Sequence, residues 1–168
     1  MSEQTNEHDH EAGHGRTKTP MLDRETQTRL AKGLFNATWE LIDKADRTPA
    51  DDELMILRAY ASRHHWGEVG EPVHWARGEW LLARVHALAG RAEGARIHGE
   101  SCLRWCEEGG LGAFDTAFGH EAIARAAALA GDEATMARHL ESGRRAAEGI
   151  EGEGDRAYVL GELGTVGR

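Results

Sequence analysis

Apolar residues recur along this chain at helical rather than strand spacing. Leu30, Leu34 and Leu41 fall at i, i+4 and i+11, with Phe35, Trp39 and Ile42 beside them at i, i+4 and i+7. A first helix from Asp23 to about Lys44 therefore presents one broad buried face. Thr48-Pro49-Ala50-Asp51 joins an N-cap threonine, a first-turn proline and an acid three residues on. That combination places the start of a second helix near Pro49. This helix carries Leu54, Leu57 and Ala61 inward and ends at His64-His65-Trp66-Gly67, with Gly67 in the left-handed C-cap conformation. A third helix opens near Glu71-Pro72, runs to about Ala89 and carries Val73, Ala76, Trp80, Ala83 and Ala87 in one stripe. Helices follow over about 91–108, 113–130 and 132–148, the fifth holding Phe114, Phe118, Ile123 and Ala127, and Gly90 and Gly109-Gly110 supply the breaks. A short seventh, from Asp155 to about Leu163, presents Tyr158, Val159 and Leu160 to cover the open end of a stack.

One phrase occurs twice. LLARVHALAGRAEGA runs from Leu81 to Ala95, and AIARAAALAGDEATM runs from Ala122 to Met136, with Gly90 and Gly131 standing 41 residues apart. A recurrence at this period marks stacked helical hairpins. The fold expected is all-α, with about seven helices in antiparallel pairs over residues 22–166. Residues 1–21 lack periodicity and are rich in Glu, Thr, Gly and His, including His8, His10 and His14. No apolar stripe there offsets the entropy of ordering the chain, so a disordered tail is expected.

Composition narrows the partners. With 29 acidic against 20 basic residues among 168, the formal charge is −9. That sign disfavours a nucleic-acid backbone or an anionic membrane. No apolar run approaches the roughly 20 residues of a membrane span, and the first residues are unlike an export signal. Cys102 and Cys106 alone make no disulfide framework and suit a reducing compartment, so a cytoplasmic chain is expected.

The repeated pair resembles the tetratricopeptide repeat, a helix-turn-helix unit with W-x2-L-G-x2-Y, A-x3-F and a final proline. Leu82, Ala83, His86, Ala95 and Gly99 follow that spacing in the first copy, and Ile123, Ala124, Ala127, Met136 and Leu140 in the second. Glu79 and His120 stand where the tryptophan would be, the terminal proline is missing, and the period exceeds the family's value of about 34. Residues 34–131 also look like a group of small bacterial all-helical proteins of uncharacterised function. Phe35-Asn36-Ala37-Thr38-Trp39, His65-Trp66-Gly67-Glu68-Val69-Gly70, Arg77-Gly78-Glu79-Trp80, and Phe114-Asp115 with Glu121-Ala122 carry that likeness. It implies a fold and no reaction.

In a stack like that family's, the first helix of each pair lines a concave groove. Trp80, Arg84, Glu121 and Arg125 then face shared space, where the arginines would hold a carboxylate or acidic peptide bidentately. Alternatively, Arg84 and Glu121 pair with each other. A second constellation is metal-like. His98, Cys102 and Cys106 each lie about 40 degrees around the helix from the one before. Imidazole and thiolate suit zinc or copper, with His65 and either Glu79 or Glu121 as further ligands. Against that stands ordinary packing of small buried cysteines. His64, His65 and His74 surround Trp66 and Trp75, either lining a ligand pocket or flanking a plugged hairpin end. His86 replaces a packing aromatic and reads as a core histidine. No nucleophile elbow, phosphate loop or dinucleotide fingerprint is present, and Ala124 stands where HExxH needs its second histidine. The leading expectation is a helical-repeat module presenting its groove to a peptide, a protein or a small acidic ligand. The alternative is a small metalloprotein or metal-dependent enzyme.

Overall fold

The computed structural model of the chain describes residues 22–168, so the expected tail over 1–21 lies outside the described residues. Seven helices and no strand occur among the described residues: α1 (Arg24–Ile42), α2 (Pro49–Val69), α3 (Pro72–Leu88), α4 (Ala92–Glu108), α5 (Ala113–Ala130), α6 (Glu133–Ala147) and α7 (Glu153–Leu163). The helix starts follow the sequence signals. Asp23 caps α1 by accepting from Thr26 N at 2.8 Å, and Asp132 caps α6 by accepting from Thr135 N at 3.0 Å. Thr48 and Asp51 close the expected box at α2, with Asp51 N donating to Thr48 Oγ1 at 3.2 Å and Thr48 N to Asp51 Oδ2 at 2.8 Å. The duplicated glycines turn corners as their spacing demands. Gly90 has φ +72° and Gly131 φ +74°, a left-handed conformation that only glycine adopts without steric cost.

Two readings of α2 are corrected. Gly67 is helical, and the cap is Gly70, whose backbone is extended (φ −84°, ψ 179°) and whose N–H bonds Trp66 O at 2.8 Å. Glu71 precedes Pro72, and the proline ring excludes helical geometry there, so Pro72 ends α2 rather than a left-handed glycine. Leu54 and Leu57 face outward, 41% and 64% exposed, while Met55, Ile56, Ala59 and Ser62 are buried. That inward face carries Met55 and Ile56 against Leu41, Leu81, Leu82 and Val85, and buried Ser62 Oγ donates to Ala31 O at 2.8 Å. On α1 the fully buried stripe is Gln27, Ala31, Thr38 and Leu41, and the aromatic residues beside it are only partly covered.

Helices pack in neighbouring pairs, α1 on α2, α3 on α4 and α5 on α6, with α7 against α5 and α6. Between pairs, α3 packs on α5 and α5 on α7, whereas no comparable packing joins α2 to α4 or α4 to α6. The stack closes along α3, α5 and α7 and opens between the even-numbered helices. Small residues permit the tightest crossing. A Cβ on Gly99 would lie 3.1 Å from Ile123 N, and one on Gly119 would lie 3.2 Å from Leu103 Cα, so α4 and α5 touch at backbone level. Leu41, Met55, Ile56, Leu81, Leu82 and Val85 form one apolar cluster. Ala117, Phe118, Ala147, Ile150, Val159 and Leu163 form another, and Trp80 packs against both.

Thr48→Ala removes the cap of α2 while leaving its packing intact. The expected loss is about 1 kcal/mol, a melting temperature lower by roughly 2–4 °C, measured by circular dichroism.

Candidate functional site

Every odd-numbered helix contributes an aromatic side chain to the row on the closed face: Trp39 from α1, Trp80 from α3, Phe118 from α5 and Tyr158 from α7. They form a continuous ladder. Trp39 stacks on Trp80 at 5.9 Å between ring centroids, Trp80 meets Phe118 edge-on at 5.2 Å, and Phe118 meets Tyr158 at 5.8 Å. Phe35 extends it from Trp39 at 6.5 Å and Phe114 from Phe118 at 5.0 Å. The six rings surround a cavity of about 220 Å³. Arg77 and Asp115 also line it, joined by two hydrogen bonds, Nε to Oδ1 at 2.7 Å and Nη2 to Oδ2 at 3.2 Å. Cys102 of α4 reaches the cavity from behind α3.

Directly beside the ladder lies a charge network. Glu121 is fully buried, and its carboxylate gathers three neighbouring side chains, while Arg84 Nε stays buried without a partner. Trp80 Nε1 donates to Oε2 at 3.1 Å, Arg84 Nη1 to Oε1 at 3.4 Å and Arg125 Nε to Oε1 at 2.6 Å. Glu162 of α7 completes it, with Oε2 at 3.1 Å from Arg84 Nη1, while Arg125 Nη2 donates to Thr165 Oγ1 at 2.8 Å. The four residues expected in the groove are thus brought together, and the arginines are engaged by the chain's own carboxylates. A buried carboxylate demands this, because desolvation costs several kcal/mol per ion unless cations and hydrogen bonds replace the water.

A second polar chain runs between α2, α3 and α4. Arg63 Nε donates to Glu79 Oε1 at 2.9 Å, and Glu79 Oε2 lies 2.7 Å from His98 Nδ1. Tyr60 Oη sits 2.8 Å from His98 Nε2 and 3.1 Å from His86 Nε2. Burial pushes the Glu79 carboxyl up, but the His98 hydrogen bond and the Arg63 charge outweigh it and hold Glu79 below its ordinary value. Glu79 therefore accepts, and His98 carries its proton on Nδ1. The Tyr60 hydroxyl bridges the Nε2 atoms of His98 and His86, and buried His86 Nδ1 faces neither donor nor acceptor. Burial, then the Glu79 charge, raise the Tyr60 phenol above its ordinary value, so the hydroxyl stays protonated.

The remaining sequence candidates lie apart. His65 Nδ1 bonds Gln27 Oε1 at 2.5 Å, between α2 and α1. His98 belongs to the Tyr60 chain. Cys102 and Cys106 are buried with Ala76, against Trp80, Trp105 and Leu111. Their mutual hydrogen bond, then burial, hold the Cys102 thiol well above its ordinary value. Among the described residues no three or more His, Cys, Asp or Glu side chains gather in a metal-holding group. At the α2–α3 corner, Trp66 stacks on His74 at 4.2 Å and Trp75 Nε1 donates to Trp66 O at 2.9 Å. The tryptophans there fill the hairpin end.

Sequence reasoning passed over Tyr60 and the ladder. A signal for the ladder existed: Trp39 and Trp80 stand 41 residues apart, the same interval as Gly90 and Gly131, and Tyr158 follows Phe118 by 40.

Replacing Arg84 and Arg125 together with Ala strips Glu121 of its cations. The expected cost is about 3–5 kcal/mol, seen as a lowered urea midpoint, and Glu121→Gln in the same background recovers part of it. Burial also holds His86, His120 and His139 below the ordinary histidine value of 6.5. The unfolded chain then binds more protons than the folded one, so stability is full above that value and falls as pH drops through it. Urea midpoints at pH 7.5 and 5.5, chosen to bracket about 6.5, measure this, and equal midpoints would contradict it. As for kinship, no protein-family model, curated protein or solved structure matches the chain.

Proposed function

We propose that the chain is a helical-repeat binding module, of tetratricopeptide-like organisation, whose concave odd-helix face takes a peptide segment of a partner protein. The observation that carries this reading is the aromatic ladder. Phe35, Trp39, Trp80 and Phe114 are only partly covered, and Tyr158 is 51% exposed. Large aromatic groups left in contact with water over a cavity are the usual makings of a recognition surface, since they supply apolar area at little entropic cost. The ladder crosses four helices, matching an extended or helical segment better than a single compact ligand. The expected role for Arg84 and Arg125 changes accordingly. They fix Trp80 through Glu121, and the contact surface is the row of rings. Arg77, 56% exposed on its side chain and paired with Asp115 through Nε and Nη2, leaves Nη1 to meet a ligand carboxylate at the cavity.

Selection of a displayed random-peptide library against the chain tests this. Enriched peptides are expected to quench tryptophan fluorescence saturably, and Tyr158→Ala to weaken them roughly tenfold, the effect of losing one aromatic contact, with helicity unchanged. Absence of enrichment, or enriched peptides indifferent to both Tyr158→Ala and Trp39→Ala, would overturn the reading.

A further inference from the structure

The open side of the stack carries two grooves related by the internal repeat, one over α3 between α2 and α4, the other over α5 between α4 and α6. The 41-residue interval relates Glu79 to His120, His86 to Ala127 and His98 to His139. Between α2 and α4 the interval is 40, because buried Met55, Ala59 and Ser62 correspond to buried Ala95, Gly99 and Cys102. That register gives Glu100 the place of Tyr60 and Leu103 the place of Arg63. The backbone agrees, since a Cβ on Gly78 would meet Arg63 and one on Gly119 would meet Leu103.

In the first groove the Tyr60 ring crosses from α2 to His86 and His98, meeting them edge-on at 5.8 and 5.4 Å. In the second groove both rings are missing. Glu100 turns to Arg96 on its own helix at 2.7 Å, and Ala127 carries only a methyl group. The space is open as a cavity of about 630 Å³, with Ile123, Ala126 and Ala127 from α5 and His139 from α6 among its walls. His139 repeats the posture of His98. Where His98 Nδ1 engages Glu79, His139 Nδ1 lies 3.0 Å from His120 Nδ1. In each case Nδ1 is taken and Nε2 is left over. His98 Nε2 is hydrogen-bonded to the Tyr60 hydroxyl, and His139 Nε2 has no hydrogen-bond partner among the described residues.

We propose that the groove between α4 and α6 binds a small phenolic compound, whose ring replaces the missing Tyr60 ring and whose hydroxyl bonds His139 Nε2. A hydroxyl suits the site whichever imidazole of the His120 and His139 pair carries the shared proton, because it both donates and accepts. The apolar residues of α5 take the ring, and half-buried His139 beside them adds one hydrogen bond to that contact, within a rim of charged side chains from α4 and α6. This site lies on the face opposite the aromatic ladder and stands or falls independently of it.

The test is a titration of the full chain with p-cresol, followed by amide NMR shifts, with toluene as the ring without a hydroxyl. Saturable shifts are expected at Ile123, Ala127 and His139, with toluene roughly tenfold weaker, the loss that one hydrogen bond accounts for. His139→Phe should bring p-cresol down to the toluene level. Glu100→Tyr restores the chain's own ring, so it should abolish binding and raise the melting temperature. The proposal is overturned if p-cresol moves no resonance around the groove, if toluene binds as well as p-cresol, or if Glu100→Tyr binds p-cresol like the unmodified chain.

Discussion

A single buried carboxylate organises the closed side of this stack. Glu121 has lost all its water, and an ion in that position is tolerable only with cations and donors converging on it. Its partners come from α3 and its own helix, and Glu162 of α7 joins them by sharing Arg84. Three helices that could otherwise slide on smooth alanine surfaces are held in one register. Apolar packing alone would specify this less sharply, because Ala83, Ala122, Ala124 and Ala126 offer little shape to interlock.

That register also sets the rings. Trp80 donates to Glu121 while packing against the clusters on either side, so the orientation of the central indole is dictated from below. Trp39 stacks on it from one side and Phe118 meets it from the other. The polar network and the aromatic row are two views of the same constraint. The outer grooves obey a looser logic, in which one is filled by its own tyrosine and the other is not.

Much of the fold was legible because helix ends are written in short-range chemistry. Asp23, Thr48, Asp132, Gly90 and Gly131 act through neighbours three or four residues away, and each does what its local sequence requires. The inward face of α2 was not legible. Apolar residues occur on both sides of that helix, and Met55 and Ile56 rather than Leu54 and Leu57 meet Leu41, Leu81, Leu82 and Val85 from other helices, contacts no window of sequence contains. The end of α2 was misplaced for a related reason, since Gly67 offered a stop that Pro72, slightly further on, made unnecessary. At the site, Trp80, Arg84, Glu121 and Arg125 were gathered by the repeat interval alone. Their mutual satisfaction was not legible, because it depends on the depth at which Glu121 is buried and on Glu162 from a helix outside the duplicated phrase. The ladder was not legible because Trp39 lies on the apolar face of α1, outside the duplicated phrase, and its kinship with Trp80 appears once α1 is counted as a further copy of the repeat.

The last helix has a consequence of its own. α7 is 11 residues long, too short to persist in isolation, and it docks through Val159, Leu163 and the shared Glu162. It nevertheless supplies Tyr158, the outermost rung. Any occupant reaching that ring recognises only molecules in which α7 is seated, so its apparent affinity is the intrinsic one scaled by the seated fraction. Under the proposed reading, salt or temperature that unseats α7 would alter recognition without touching a contacting residue.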